Sequence, residues 1–291
     1  MSLIFRPAQL SDRAKYVSHF GDGPVLGCEY AFGNVFAWSA GYDTSLAEFE
    51  DTFIVRAGLS EYSYSVPVGL SDVRSALTAL FELDAHVKMH CLTNAAVNAV
   101  ESAFPGEFEF TPIRSSFDYI YLQSELATLP GRRFHKKKNH FSSFEKTYSY
   151  RLEAVDSSNV EECLAFSNRW SDANIEKNPA EISEEKAAVN KALSNWSALG
   201  LTGALIRVDG EIVAYCAGEE LTRDTFCTHF EKALPEFNGA YAAINKLFAQ
   251  EFLGAYKYVN REEDTGDEGL RQAKLSYQPC TLLEKYNAVR K

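Results

Sequence analysis

The run from Tyr256 to Pro279, YKYVNREEDTGDEGLRQAKLSYQP, constrains the fold most tightly. It reads as a short strand, an acid-rich turn and a short helix stopped by proline. Tyr258 and Val259 end an apolar alternation. Arg261, Glu262, Glu263 and Asp264 then place one cation and three carboxylates at the strand's carboxyl end. Thr265-Gly266 supplies a turn, and Asp267 is suited to cap the helix by accepting from a free backbone N–H. Within that helix Arg271 and Lys274 share a face at i, i+3. A strand that delivers charge to a strand–turn–helix junction belongs to an open sheet, and such sheets keep their ligands at strand carboxyl ends.

The rest of the chain supplies the sheet. Strand-like runs are predicted at 30–38, 52–56, 62–68, 86–92, 107–110 and 117–122, with helices at 71–83 and 94–104. The opening residues suggest a strand and then a helix capped at Ser11. In the second half, strands are predicted at 149–153, 203–208, 211–217, 225–230, 256–260 and 281–285. Helices are predicted at 158–170, 184–199, 239–253 and 267–277. Asp209-Gly210 between two apolar runs is a strong two-residue hairpin signal. Both halves end in the order strands, helix, strand, helix, strand, a repeat of elements without a repeat of letters. The expected fold class is α+β, with two domains, each a mixed and mostly antiparallel sheet flanked by helices. The boundary is expected near residue 145: residues 1–145 form the first domain, including a basic connecting segment at 129–145, and 146–291 form the second. A length of 291 residues and 46% hydrophobic content support cores of that size.

Composition removes several functions. No apolar run reaches the roughly 20 residues of a membrane span, and residues 1–16 lack the apolar region of a signal peptide. The six cysteines, Cys28, Cys91, Cys163, Cys216, Cys227 and Cys280, form no C-x-x-C pair. They read as buried free thiols in a reducing compartment, so a cytoplasmic location is expected and no metal is. The net charge of −11 disfavours general binding to nucleic acid or anionic lipid. No Ser-His-Asp order, metal-ligand spacing or phosphate-cradling loop occurs.

Against that acidic background, Arg132, Arg133, Lys136, Lys137 and Lys138 crowd into one segment. They suit a phosphate-binding patch for a nucleotide, coenzyme A or a tRNA backbone, or else a solvated helix face. His229 and Glu231 alternate onto one face of a strand. Either could take a proton from an attacking amine, or both could belong to half-buried ion pairs. The Arg261, Glu262, Glu263, Asp264 cluster with Arg271 suits an amino-acid-like substrate, its carboxylates meeting an ammonium and its guanidinia a carboxylate or phosphate. The alternative is a salt-bridged turn. Lys274 is a candidate for supporting an oxyanion, and Ser276 and Tyr277 are candidate hydrogen-bond donors. Asn245 is an odd polar residue on the packing face of its helix.

The run NREED-x-G-x-x-GLR-x-AK-x-SY, from Asn260 to Tyr277, resembles the C-terminal domain of phosphatidylglycerol lysyltransferases and its relatives of unknown function. The resemblance extends to LTGALIRVDGEIVAYCAGEE at 201–220, FCTHFEKA at 226–233, GAYAAINK at 239–246 and LPGRRFHKKKNHFSSF at 129–144. It implies two tandem N-acyltransferase (GNAT-like) domains and an acyltransferase whose donor is aminoacyl-tRNA and whose acceptor is a small-molecule or peptide amine or hydroxyl. It implies catalytic roles for Glu231, His229 and Lys274. Substrate binding falls to Asn260, Arg261, Glu262, Glu263, Asp264, Arg271, Ser276 and Tyr277, and donor or phosphate binding to the basic segment and Gly239. In a GNAT domain the helix N-terminus at Gly239 would receive a coenzyme A pyrophosphate. Here Glu236 and Tyr241 replace the usual residues of that loop, so acyl-coenzyme A is the less favoured donor. A coenzyme A-dependent N-acyltransferase and a non-catalytic ligand-binding protein are the alternatives.

Overall fold

The computed structural model describes residues 3–20, 26–70 and 72–291. Thirteen strands follow the chain among the described residues: β1 Ser45–Phe49, β2 Thr52–Ala57, β3 Ser63–Tyr64, β4 Lys88–Thr93, β5 Phe108–Pro112, β6 Asp118–Leu122, β7 Tyr150–Ala154, β8 Thr202–Val208, β9 Glu211–Thr222, β10 Thr225–Ala233, β11 Tyr258–Asn260, β12 Thr281–Leu283 and β13 Lys285–Arg290. The helices are α1 Arg13–Val17, α2 Phe32–Ala37, α3 Val73–Leu83, α4 Asn94–Ala103, α5 Gln123–Thr128, α6 His135–Thr147, α7 Val160–Asn174, α8 Pro179–Leu193, α9 Trp196–Leu199, α10 Ala240–Phe252 and α11 Glu268–Leu275.

They build two mixed sheets flanked by helices. The first runs β1-β2-β3-β4-β13-β5 and the second β12-β6-β11-β10-β9-β8-β7. Each sheet therefore takes a strand from the other half of the chain. β6 lies in the seven-stranded sheet with the later strands, and β13 inserts between β4 and β5 of the earlier sheet. The expected division at residue 145 thus meets sheets that exchange strands across it.

The seven-stranded sheet is covered on both faces, which is why β8 and β9 read as nearly unbroken apolar runs. One face carries Ala204, Ile206, Ala214, Cys216 and Phe226 against α5, α6 and α10. The other carries Leu205, Tyr215, Ala217 and Phe230 and shares a core with α7, α8 and the first-half residues. The Asp209-Gly210 hairpin is as expected: both residues have positive φ, 50° and 88°, and join antiparallel β8 and β9. Asp267 caps α11, accepting from the Leu270 amide at 2.6 Å.

Three local expectations change. Residues 30–38, read as a strand, form a short 3-10 turn and α2. The run YAFGNVFAW is apolar on all sides, and a short buried segment of that kind cannot be assigned by periodicity. The opening strand reduces to a single bridge between Arg6 and Leu46. Its helix is entered through Asp12, whose carboxylate accepts from the Gln9 amide at 2.8 Å, and not through a Ser11 cap. Ser71, the expected start of α3, lies outside the described residues.

Where the exchanged strands meet, Lys285 of β13 and Asp118 of β6 form a fully buried ion pair of 2.6 Å. The ammonium also reaches Glu29 at 2.5 Å. The other Asp118 oxygen accepts from the Cys28 amide and from Asn260 Nδ2, each at 2.8 Å. Burial, together with Asp118 and Glu263, pushes the Glu29 carboxyl up to about 7 against the pull of Lys285.

Two outcomes follow from this node. Lys285→Met leaves Asp118 charged and buried and is expected to cost about 3–5 kcal/mol in urea unfolding. The Glu29 carboxyl has a folded value above its ordinary 4.5. Between those values the folded chain holds a proton that the unfolded chain has released, so stability falls as pH rises from about 4.5 to about 7. Glu29→Gln is expected to flatten that decline and to be more stable than the parent at pH 8, measured by urea midpoints across the range. An unchanged pH profile would show that Glu29 ionises freely in the fold.

Candidate functional site

β10 and β11 run parallel and pair only over Thr225–Cys227 and Tyr258–Asn260. Past that point they part. β10 continues to Ala233, while the chain after Asn260 turns toward β6, with Arg261 N donating to Tyr119 O at 3.0 Å. The side chains of Arg261 and Glu262 reach across the opening to Glu231 and His229 of β10. Glu262 and Thr265 both have positive φ, 59° and 50°, a conformation that costs non-glycine residues of order 1 kcal/mol or more each. The Asn260 side chain helps hold the turn by accepting from the Glu262 amide at 2.8 Å.

A β-bulge sets what the opening contains. Along β10 the register against β9 passes from Thr228–Gly218 directly to Phe230–Ala217, leaving His229 as the extra residue. A bulge shifts the alternation of all later side chains. His229 and Glu231, expected on one face, therefore point to different neighbours. His229 meets Glu262 through Nδ1 at 2.8 Å and Glu219 through Nε2 at 3.1 Å. Glu231 meets Arg261 at 2.9 Å and Asn245 of α10 at 3.2 Å.

The His229 side is a dense network, though Glu219 Oε2 and Asn34 Oδ1 are buried in it without a hydrogen-bond partner. Glu219 Oε1 also accepts from the Gly33 amide at 2.6 Å, and Glu262 Oε1 from Asn34 Nδ2 at 2.7 Å. The His229 side chain is only 2% exposed. Burial opposes its charge, but the Cys227 sulfur and the two carboxylates hold it well above its ordinary 6.5. The ring is held between two carboxylates and shielded from solvent.

Asp264 is equally committed. Fully buried, it accepts from Tyr119 at 2.6 Å, Arg114 at 3.0 Å, Arg271 at 2.9 and 3.0 Å and the Gly266 amide at 2.9 Å. Burial opposes its ionisation, yet these donors hold it far below the ordinary carboxylate range. Lys274 spends its donors on the carbonyls of Arg261, at 2.6 Å, and Glu263. Burial lowers it from its ordinary value. Asn260 is buried on Asp118. Glu263 accepts from the Cys28 thiol at 3.1 Å, and burial raises its carboxyl. Ser276 bonds back to the Ala273 carbonyl within its own turn.

The other side of β10 is built around Arg261. Arg261 lies 4.7 Å from the Tyr277 ring centre and 5.5 Å from that of Tyr121. Its Nη2 holds Glu231, but its Nη1 is buried without a hydrogen-bond partner, and so is Asn245 Oδ1. Buried polar atoms are normally paired, so a donor and an acceptor left open on two residues that share Glu231 call for an explanation. Lys137 of α6 stands 4.1 Å above the same Tyr277 ring. Burial, then the neighbouring Arg261 charge, pushes its ammonium down to about 8. The basic segment therefore reaches this cluster through one of its five cations. Arg132, Lys136 and Lys138 are exposed, and Arg133 pairs with Glu125.

Gly239 begins α10 with φ 89°. A side chain there would bring its Cβ within 2.3 Å of the His140 carbonyl oxygen, because α6 lies against the helix start. Several members of these networks escape a sequence reading: Glu29, Asn34, Asp118, Glu219 and Lys285. Asp118 shows as a single charge inside the apolar run FDYIYL, but nothing local names its partner, and the other four carry no comparable signal.

The family described as phosphatidylglycerol lysyltransferase, C-terminal, matches residues 24–289. A conserved protein of unknown function from Bacteroides thetaiotaomicron is 37% identical, covers 99% of this chain and 100% of its own, and superposes with a TM-score of 0.94. L-PGS from Bacillus licheniformis is 14% identical over 98% of this chain and 92% of its own, with a TM-score of 0.68. FemX shares the fold at 9% identity over 98% of this chain and 96% of its own, with a TM-score of 0.60. An uncharacterised Mycoplasmoides gallisepticum protein is 25% identical over 178 residues, 59% of this chain and 56% of that protein, so the match spans about half of that relative. The fold is the tandem GNAT-like, Fem-type arrangement, and among the described residues no helix is long and apolar enough to cross a membrane. With residues 24–289 of 291 matched, this chain belongs to the phosphatidylglycerol lysyltransferase C-terminal family.

Proposed function

We propose that this protein transfers an aminoacyl group from aminoacyl-tRNA to an amine or hydroxyl acceptor, with the reacting atoms on the Arg261–Glu231 side of β10. The observation that carries this reading is the open pair of buried atoms, Arg261 Nη1 and Asn245 Oδ1, beside Lys137 of the basic helix. Acyl transfer from an ester passes through a tetrahedral oxyanion, which fixed donors stabilise. Arg261 Nη1 and the Lys137 ammonium are such donors. Glu231 and Asn245 Oδ1 are the acceptors available to the N–H or O–H of the attacking group. Lys137 ties this chemistry to the cations of α6, which suit the phosphates of a tRNA. Family membership supports the same donor.

Two features support a donor other than coenzyme A. The start of α10 presents the His140 carbonyl, an acceptor, where a pyrophosphate needs donors. The Ala233 carbonyl at the end of β10 is already held by the Trp170 indole at 3.1 Å. His229 and Lys274 serve here as positioning residues, holding Glu262 and the 261–263 backbone.

Binding to tRNA is expected to weaken with salt along a log–log slope of about −3 to −5, for three to five phosphate contacts. Replacing Lys136 and Lys138 with alanine should reduce that binding and leave the thermal midpoint almost unchanged, since exposed substitutions usually stay within about 0.5 kcal/mol. In a transfer assay with radiolabelled aminoacyl-tRNA, Glu231→Gln should lower kcat by about 10²–10⁴ while tRNA affinity persists. Absence of tRNA binding by the parent protein would reject the donor, and full activity of Glu231→Gln would reject the site.

A further inference from the structure

A groove of about 510 Å³ opens at the other end of the seven-stranded sheet, where β9 turns into β10. Its lining includes Arg13, Ser18, Phe20, Glu220, Arg223 and Tyr256. Thr225, at the start of β10, is roughly 20 Å of extended strand from Glu231, so this groove is separate from the Arg261 cluster. Its volume falls within the range of small-molecule sites, about 300–1,000 Å³.

Arg13 makes the groove more than a surface depression. Its Nε is buried without a hydrogen-bond partner, and its guanidinium makes no hydrogen bond or ion pair with any described residue. The chain carries 40 acidic residues against 29 lysines and arginines, so a half-buried guanidinium with no ion-pair partner among the described residues stands out. Five rigid donors and no internal acceptor suit an external oxyanion, held by two parallel N–H···O bonds. The remaining walls qualify the ligand. Phe20 and Tyr256 place two aromatic rings in the lining. Glu220 accepts from the Tyr256 hydroxyl at 3.0 Å, so its carboxylate stands ready for an N–H or O–H and repels a second anionic group.

We propose that this groove binds a phosphate monoester of nucleotide size, with Arg13 on the phosphate and the Phe20 and Tyr256 rings beside an aromatic base. The proposal does not rest on the aminoacyl-transfer reading. Titration calorimetry of the intact protein with adenosine monophosphate, adenosine and succinate tests it. Saturable binding of the monophosphate is expected, with adenosine and succinate each at least about ten-fold weaker. Arg13→Gln should weaken the monophosphate at least about ten-fold, and Arg13→Lys, which keeps charge without the fork, by an intermediate factor. Unfolding midpoints of both variants should stay near the parent's. No saturable binding of the monophosphate overturns the site, and succinate binding more tightly overturns the phosphate. Unchanged affinity in Arg13→Lys overturns the two-pronged contact, and it does so even if Arg13→Gln fails to fold.

Discussion

The buried Lys285–Asp118 pair is the contact on which the site geometry depends. Lys285 arrives on a strand of the six-stranded sheet and Asp118 on a strand of the seven-stranded sheet. Neither can be neutralised by water, because both side chains are fully buried. A buried pair of this kind seldom stabilises more than an apolar pair would, but removing one partner is costly. What it contributes is placement. Asp118 also fixes Asn260, and Asn260 fixes the Glu262 amide. The unfavourable backbone of Glu262 is therefore held by a chain of contacts that begins at the crossing of the two sheets.

From there the division of labour in the NREED run becomes clear. Three of its charged residues are consumed by architecture: Glu262 by His229 and Asn34, Glu263 by Cys28, Asp264 by two arginines and a tyrosine. Arg261 alone keeps an unfilled donor. Salt-bridged turn and ligand site are thus not competing descriptions of this segment. The carboxylates stiffen the turn so that one guanidinium is presented at a fixed angle, as a catalytic or binding group requires.

The strand–turn–helix at 256–279, its Asp267 cap and the Asp-Gly hairpin were legible because each depends on residues adjacent in sequence. The helical nature of the basic segment was legible for the same reason. The exchange of strands was not, since β6 and β13 pair with partners more than a hundred residues away through backbone groups that carry no sequence signature. The placement of His229 failed through a single residue. Alternation assumes an unbroken ladder, and the bulge at 228–230 inverts every side chain after it. Asn245 did announce itself, as a polar residue on a packing face, but its open Oδ1 could be seen only with Arg261 beside it.

The charge distribution reconciles an acidic chain with the proposed polyanionic donor. At physiological ionic strength the Debye length is about 8 Å, so exposed carboxylates further away than that are largely screened. What a phosphate backbone meets is then the local surface, and α6 concentrates Lys136, Lys138 and the neighbouring Arg132 on solvent. Lys137 turns inward instead and loses basicity through burial and the Arg261 charge. On the proposed reading, a helix and preceding turn that show Arg132, Lys136 and Lys138 outward and Lys137 inward can hold a polyanion and still keep a titrating amine beside Arg261. Elsewhere on the surface the chain's net charge of −11 disfavours contact with nucleic acid.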